Sequence, residues 1–483
     1  MFIGLDLGTS GLRAILVDEN QKIIAEHSGS YGTEHPKTGW SEQDPQLWVD
    51  ACDTVLTALA SAHPQPMRDV KAIGISGHMH GAVLLDEQNT PLRPCILWND
   101  TRSENEAKEL DQTEDVQTLS GNIVFPGFTA PKIRWVQNNE PDIFAKLKTV
   151  LLPKDYLRFW LTGELRSEIS DAAGTSWLNV STRLWSNELM NAGSVTSGQL
   201  PDLVEGSDAA GTLKPELASR WHLGEDVLLV GGGADNAAAA CGVGALTEGQ
   251  GFVSLGTSGV VLVARDGCYP APETAVHTFC HAVPNKWYQM GVTLAATDSL
   301  NWLTKITEQT PQEATEALGE TLAAPSKVYF LPYLSGERTP HNDSAIRGVF
   351  TGLDIAHSSD DLTHGVLQGV AFALRESLDA LRETDANPDH LLAIGGGSKS
   401  AFWVKMLATV LNVPLHLPEK GDFGAALGAA RLAICGATGR SPEEVMTPPT
   451  TEQIINPDPE LVPQYEAAYE QFKKIYPAIR QVS

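Results

Sequence analysis

The chain opens on an apolar run, Phe2-Ile-Gly-Leu-Asp-Leu7, a small polar tip, Gly8-Thr-Ser-Gly11, and a second apolar run, Leu12-Arg-Ala-Ile-Leu-Val17. Two apolar runs around a glycine- and hydroxyl-rich tip predict a β-hairpin. The pattern returns near mid-chain as Gly251-Phe-Val-Ser-Leu255, Gly256-Thr-Ser-Gly259 and Val260-Val-Leu-Val-Ala264. The pentapeptide Leu-Gly-Thr-Ser-Gly stands at 7–11 and again at 255–259, an offset of about half the chain. A five-residue match between two hairpins is weak alone. The matching flanks and the half-chain offset favour two related domains.

Around the hairpins, strand-like and helix-like segments alternate. Residues 70–76, 149–152 and 227–230 read as buried strands, as do 328–331 and 391–394 in the second half. Residues 45–62 carry Leu47, Trp48, Ala51, Val55, Leu59 and Ala62 on one helical stripe, and 361–381 and 401–411 are also expected helices. The mixture predicts an α/β fold. The second hairpin starts afresh after 243–250, which divides the chain into domains at 1–245 and 246–483.

Composition narrows the chemistry. With 42% hydrophobic residues among 483, the chain can build sizeable cores. Its formal net charge of −26 argues against nucleic acid and anionic membranes as partners. Any phosphate site must therefore be built locally. No two of the six cysteines fall in a C-x-x-C spacing, which disfavours a zinc site or redox pair. No signal-peptide pattern and no membrane-length apolar run is present, so a reduced, cytoplasmic enzyme is expected.

The hairpin tips carry the first candidate site. Small residues admit a bulky anion close to the backbone, and the hydroxyls of Thr9 and Ser10 add donors. Asp6, just before the tip, would repel a phosphate unless Mg²⁺ lies between them. Arg13 offers positive charge on the returning strand. The second copy has Ser254 where the first has Asp6, so the tips match in shape and differ in charge. A third glycine cluster, Gly395-Gly-Gly-Ser-Lys-Ser400, follows a strand and precedes a helix. It suits either a tight helix-start turn or a nucleotide at a helix N-terminus, and lacks the spacing of a Walker A loop. Asp235, after Gly231-Gly-Gly-Ala234, is either a helix cap or the base that a phosphoryl transfer to a hydroxyl requires. His78, Met79 and His80 close a strand and offer the mixed polar and apolar wall that a neutral sugar needs. Trp98 is either an aromatic face for the ligand or a core residue.

On these residues the sequence resembles the FGGY carbohydrate kinases, and within them the kinases of ketopentoses. The resemblance covers nearly the whole chain. One signature is matched by residues 127–139, from Gly127-Phe-Thr-Ala-Pro-Lys132 onward, and a second by residues 348–353 with 361–369, where Gly365 replaces the expected Ala or Ser. Met79-His80-Gly81, Trp98-Asn99-Asp100 and Leu334-Ser-Gly-Glu-Arg-Thr-Pro-His-Asn342 point to the ketopentose branch.

The resemblance implies two actin-like, ribonuclease-H-like domains around a central cleft. It implies ATP as co-substrate, Mg²⁺, and D-xylulose phosphorylated to its 5-phosphate; ribulose or L-xylulose is the nearest alternative. A non-enzymatic nucleotide-switched protein is more distant, and a homodimer is the implied assembly. Asp235 matches the catalytic base and Asp6 the residue that positions the metal. Gly8, Thr9, Ser10 and Arg13 match one phosphate-binding element, and Gly256, Thr257 and Ser258 the other. Asn301, Gly396 and Ser400 match nucleotide contacts, Ser400 standing where Asn is frequent. Met79, His80, Asp235 and Asn236 match sugar contacts. At Gly127, where some relatives place a side chain on the sugar, this chain has none.

Overall fold

A computed structural model describes residues 1–419 and 423–482. The strands Phe2–Leu7 and Gly11–Val17 form the first expected hairpin, with Asp6 opposite Arg13. The strands Gly251–Leu255 and Gly259–Arg265 form the second. In each case the hairpin's first strand also pairs in parallel with a later strand: Ala72–Gly77 in the first half and Leu391–Ile394 in the second. Leu228–Val230 and Leu415–Pro418 then extend the two parallel sets. On the other side, Ile23–Ser30 and Trp287–Thr293 pair antiparallel with the hairpins. The repeat read from five residues is thus a repeat of sheet topology.

The expected helix at 45–62 spans Pro45–Ala62. The Asp44 side chain caps it by accepting from the Gln46 amide at 2.9 Å, and a proline sits at its start. Trp48, Cys52, Val55 and Leu59 are buried against the first sheet. The expected helix at 361–381 runs Ser359–Arg382, begun by a capping box between Ser358 and Asp361.

The helix Ala425–Thr438, late in the chain, packs on the first sheet. A Cβ on Gly4 would lie 1.9 Å from the Ala426 oxygen, one on Gly74 2.0 Å from that of Ala429, and one on Gly428 1.8 Å from that of Ala238. Bare glycines at these contacts let the helix sit flush between the sheet and the helix Asp235–Val243. Arg431 donates from Nη1 to the carbonyls of Cys241 and Gly242, at 2.9 and 3.0 Å, which satisfies orphan acceptors at that helix's end. One buried apolar cluster accordingly joins Phe2 and Ala240 to Phe252, Ala430 and Ile434. The six cysteines are free, and no described helix is long and apolar enough to cross a membrane.

Candidate active site

The candidate catalytic groups gather where parallel strands end, the edge at which open α/β sheets bind ligands. Asp6 is next to last in its strand, beside Ser76. The short strand Gly233–Ala234 pairs with Ser76 and Gly77 and leads directly into Asp235. Ala234 holds the N-cap position with no side-chain cap, and Asp235 is the first helical residue. Its Oδ1 accepts from the Asn236 amide at 2.7 Å and from Asn236 Nδ2 at 2.9 Å. Burial, with the negative charge of Asp6 adding to it, pushes the Asp235 carboxyl up to about 6. A carboxylate that takes a proton near neutral pH is suited to general-base chemistry.

Asp6, Gly8, Ser10 and Arg13 line a recess of about 470 Å³ with Ser28, Gly29 and Ser30. Thr9 instead braces the tip: its carbonyl accepts from Gln43 at 2.7 Å, and its hydroxyl from the Trp98 indole at 3.0 Å. Tyr31 fixes the Gly8 carbonyl at 2.6 Å. Trp98 is 47% exposed, so it is no core residue; it stands over the hairpin. The described residues hold no group of three metal-ligating side chains. A carboxylate beside a phosphate-sized recess fits Mg²⁺, which keeps several waters and takes its other ligands from phosphate.

On the sugar side the two histidines part. His78 is buried against the Trp48 ring, 5.6 Å between centroids, and burial pushes it down to about 3. His80 has a left-handed backbone, φ 70°. Its carbonyl accepts from Lys132 Nζ at 2.8 Å and Thr129 Oγ1 at 3.1 Å, both from the helix Thr129–Asn139. The first signature therefore supplies the groups that hold His80 in this conformation. Gly127 is also accounted for, since a Cβ there would lie 2.0 Å from the Trp98 carbonyl oxygen. The His80 Nδ1 lies 2.7 Å from the Gly174 carbonyl oxygen, which only accepts, so Nδ1 carries the proton. Burial keeps the ring neutral, down to about 3, which leaves Nε2 as a hydrogen-bond acceptor.

The sequence reading missed an aromatic wall behind His80. Phe128 stacks on His80 at 4.4 Å and meets Phe125 edge-on at 5.5 Å. From the second half, His277 and Phe279 stack on each other at 5.4 Å, and Phe279 lies 6.2 Å from both His80 and Phe128. Three buried side chains nearby, Asp171, Tyr288 and His277, keep polar atoms without a hydrogen-bond partner among the described residues. Buried polar atoms are rarely left so, and a polyhydroxyl ligand or ordered water would satisfy them.

Of the residues expected to contact nucleotide, Asn301, Gly396 and Ser400 line one cavity of about 840 Å³ with Leu300, Lys399 and Phe402. Its far wall, Pro311, Gln312, Thr315 and Glu316, belongs to a short, mostly polar surface helix whose buried residue is Ala314, and gave no sequence signal. Ser400 caps the helix Ala401–Leu411 by accepting from the Trp403 amide at 3.3 Å. A Cβ on Gly396 would meet nothing within 4 Å, so packing does not explain that glycine; it leaves room in the cavity. Of the second hairpin, Gly256 is tied to this cavity: its carbonyl accepts from the amide and hydroxyl of Thr297, a lining residue. Thr257 accepts at its carbonyl from the Ala296 amide at 2.8 Å, and Ser258 completes the tip.

The chain is similar to known proteins along nearly its whole length. The N-terminal domain model of the FGGY family of carbohydrate kinases matches residues 1–242, and the C-terminal domain model matches 251–437. A xylulose kinase of Escherichia coli (strain K12) is 44% identical over 479 residues, 99% of this chain and 98% of that protein. A crystal structure of a "xyloylose kinase" from Brucella ovis is 53% identical, covers 100% of this chain and 99% of that one, and superposes with a TM-score of 0.98. A ligand-bound xylulose kinase from Lactobacillus acidophilus, 26% identical, covers 99% and 98% with a TM-score of 0.93. Two actin-like domains of the sugar-kinase fold, a carboxylate at the strand ends and a nucleotide-sized cavity in the second half are the parts of a phosphotransferase acting on a sugar and ATP, and the chain belongs to the FGGY family of carbohydrate kinases.

Proposed function

We propose that the protein transfers the γ-phosphoryl group of ATP to the 5-hydroxyl of D-xylulose. The observation that carries the chemistry is the placement of Asp235, at the end of a strand paired with Ser76 and Gly77, one strand across from Asp6, where burial pushes its carboxyl up to about 6. The ketopentose reading is supported by the xylulose kinases similar to this chain along nearly its whole length. Met79 is buried beside His80 and gives the sugar an apolar surface, while His80 Nε2 accepts from a hydroxyl. Asn236 fixes the Asp235 carboxylate, whose other oxygen, Oδ2, takes the 5-hydroxyl proton as that oxygen attacks the γ-phosphorus.

The nucleotide base occupies the cavity of Asn301, Gly396 and Ser400. The phosphates reach toward Gly256, Thr257 and Ser258 on one side and Gly8, Thr9, Ser10 and Arg13 on the other. Asp6 would hold Mg²⁺, directly or through water, and the ion would supply charge neutralisation for the phosphates. The enzyme works in the cytoplasm, and a homodimer is the assembly we propose. The test is ADP release measured across ketoses, polyols and a no-sugar control. D-xylulose is expected to give the largest kcat/KM, and sugar-independent release alone would overturn the reading.

A further inference from the structure

One polar side chain reaches the sugar side from the second half of the chain and has no part in the account above. Arg338 is half-buried, its guanidinium carbon 3.9 Å from the centre of the Phe125 ring. Phe125 and Phe128 also face His277, at 5.3 and 6.2 Å, so Arg338 and His80 border one aromatic wall built by both halves. Its loop is held firmly. Glu337 accepts from Thr293 Oγ1 at 2.6 Å, the Leu294 amide at 3.1 Å and the Arg338 amide at 2.7 Å. Thr339 bonds the Ala275 carbonyl at 3.0 Å through its hydroxyl and the Val292 carbonyl at 3.0 Å through its amide.

The guanidinium itself makes no hydrogen bond or ion pair to another described residue. Glu337, the adjacent carboxyl, has both oxygens engaged by Thr293 Oγ1 and two backbone amides, so its charge acts on the arginine without a hydrogen bond to the guanidinium. A charged group with five donors, on a rigid loop and with no hydrogen-bond partner among the described residues, is an expensive arrangement unless a ligand completes it.

The second half's rings set its position relative to the chemistry. Tyr288, Phe279 and His277 form a row, with Phe279 5.8 Å from Tyr288 and 5.4 Å from His277. The charges of Asp235 and Asp171 act on the Tyr288 end, and that of Arg338 acts on the His277 end, where it also reaches His80. Arg338, packed on Phe125, thus stands at the His277 end of this row.

We propose that Arg338 recognises the end of the ketose remote from Asp235, donating to its C2 carbonyl oxygen while His80 Nε2 accepts from the neighbouring C1 hydroxyl. The pair reads an acceptor-only oxygen beside a hydroxyl, the pattern of an α-hydroxyketone. A pentitol carries a second hydroxyl at C2, whose hydrogen then needs an acceptor of its own. This assignment also supplies from the opposite half the contact that Gly127 cannot make.

The inference rests on the ketopentose reading, and its test separates the two. Binding of D-xylulose and of xylitol to wild-type protein, R338K and R338M is measured by calorimetry, with the thermal midpoint as a control for folding. Wild-type protein is expected to favour D-xylulose. R338M is expected to bind it roughly 10- to 100-fold more weakly, the range for hydrogen bonds to a charged group, while xylitol changes less than about threefold. R338K, with the charge but not the planar fork, falls between. Equal losses for both ligands with a lowered thermal midpoint would make Arg338 a structural clamp on Phe125 and overturn the inference, as would no loss for either. If wild-type protein binds neither ligand, the ketopentose reading itself fails, and this inference with it.

Discussion

Replacing Asp235 with asparagine preserves the shape that packs against Asn236 and removes the proton acceptor. We expect D235N to keep sugar binding and lose roughly 10²- to 10⁴-fold in kcat, the usual contribution of a general base. Near-wild-type turnover would remove Asp235 from that role. Wild-type kcat/KM should rise with pH through an acid limb near 6, where the carboxyl ionises. Stability runs the other way. The folded carboxyl holds its proton between the unfolded value, about 4, and about 6. The native state therefore binds more protons in that window and loses stability as pH rises through it. D235N should be more stable than wild type at pH 8, by on the order of 1–2 kcal/mol for a half-buried group, and the gain should vanish toward pH 4. Denaturant melts at the two pH values check this. At this scale Asp235 was legible because a strand, a glycine run and an acid followed in order. Arg338 was not: its motif was visible, but its neighbours Phe125 and His277 lie far off in sequence and meet it only after the sheets form.

The adjacent glycines of the third cluster have different reasons to be glycine. Gly395 has φ 89°, and a Cβ there would lie 2.7 Å from the Leu255 carbonyl oxygen, whereas one on Gly396 would meet open space. G395A is therefore expected to destabilise by about 1–3 kcal/mol through backbone strain and overpacking. G396L should leave stability within roughly 0.5 kcal/mol, as ordinary for a site free of contacts, and raise the ATP KM more than about tenfold by filling the cavity. Thermal melts and ATP titrations separate the two, and a G396L that melts early with normal ATP affinity would contradict the cavity assignment. The hairpins were readable as elements because apolar runs and a small tip leave few other structures. The far wall of the cavity was not, because the helix Pro311–Ala317 is a short polar stretch with a single buried residue, Ala314, like many surface helices. The packing of Ala425–Thr438 on the first sheet was equally hidden: its matching glycines, Gly4 and Gly74, read as ordinary strand positions until the helix is seen against them.

On the proposed reading, both halves contribute to one reaction. Asp6 and Asp235 come from the first half, Gly256, Asn301 and Gly396 from the second, and the shared core runs between them. Catalytic groups that assemble fully only with both ligands would limit hydrolysis of ATP by water. We therefore expect D-xylulose with a non-hydrolysable ATP analogue to draw the halves together, pivoting near 243–250. Small-angle scattering should show a smaller radius of gyration than with either ligand alone, and an unchanged distance distribution at saturation would leave only local adjustment. The central claim is that this cleft carries phosphate from ATP to the terminal hydroxyl of a ketopentose. Phosphorus NMR of purified protein with D-xylulose, ATP and Mg²⁺ tests it most directly. The account predicts a new monoester signal coupled to the C5 protons, growing in step with ADP. Inorganic phosphate without an ester, or an ester at another carbon, would contradict it.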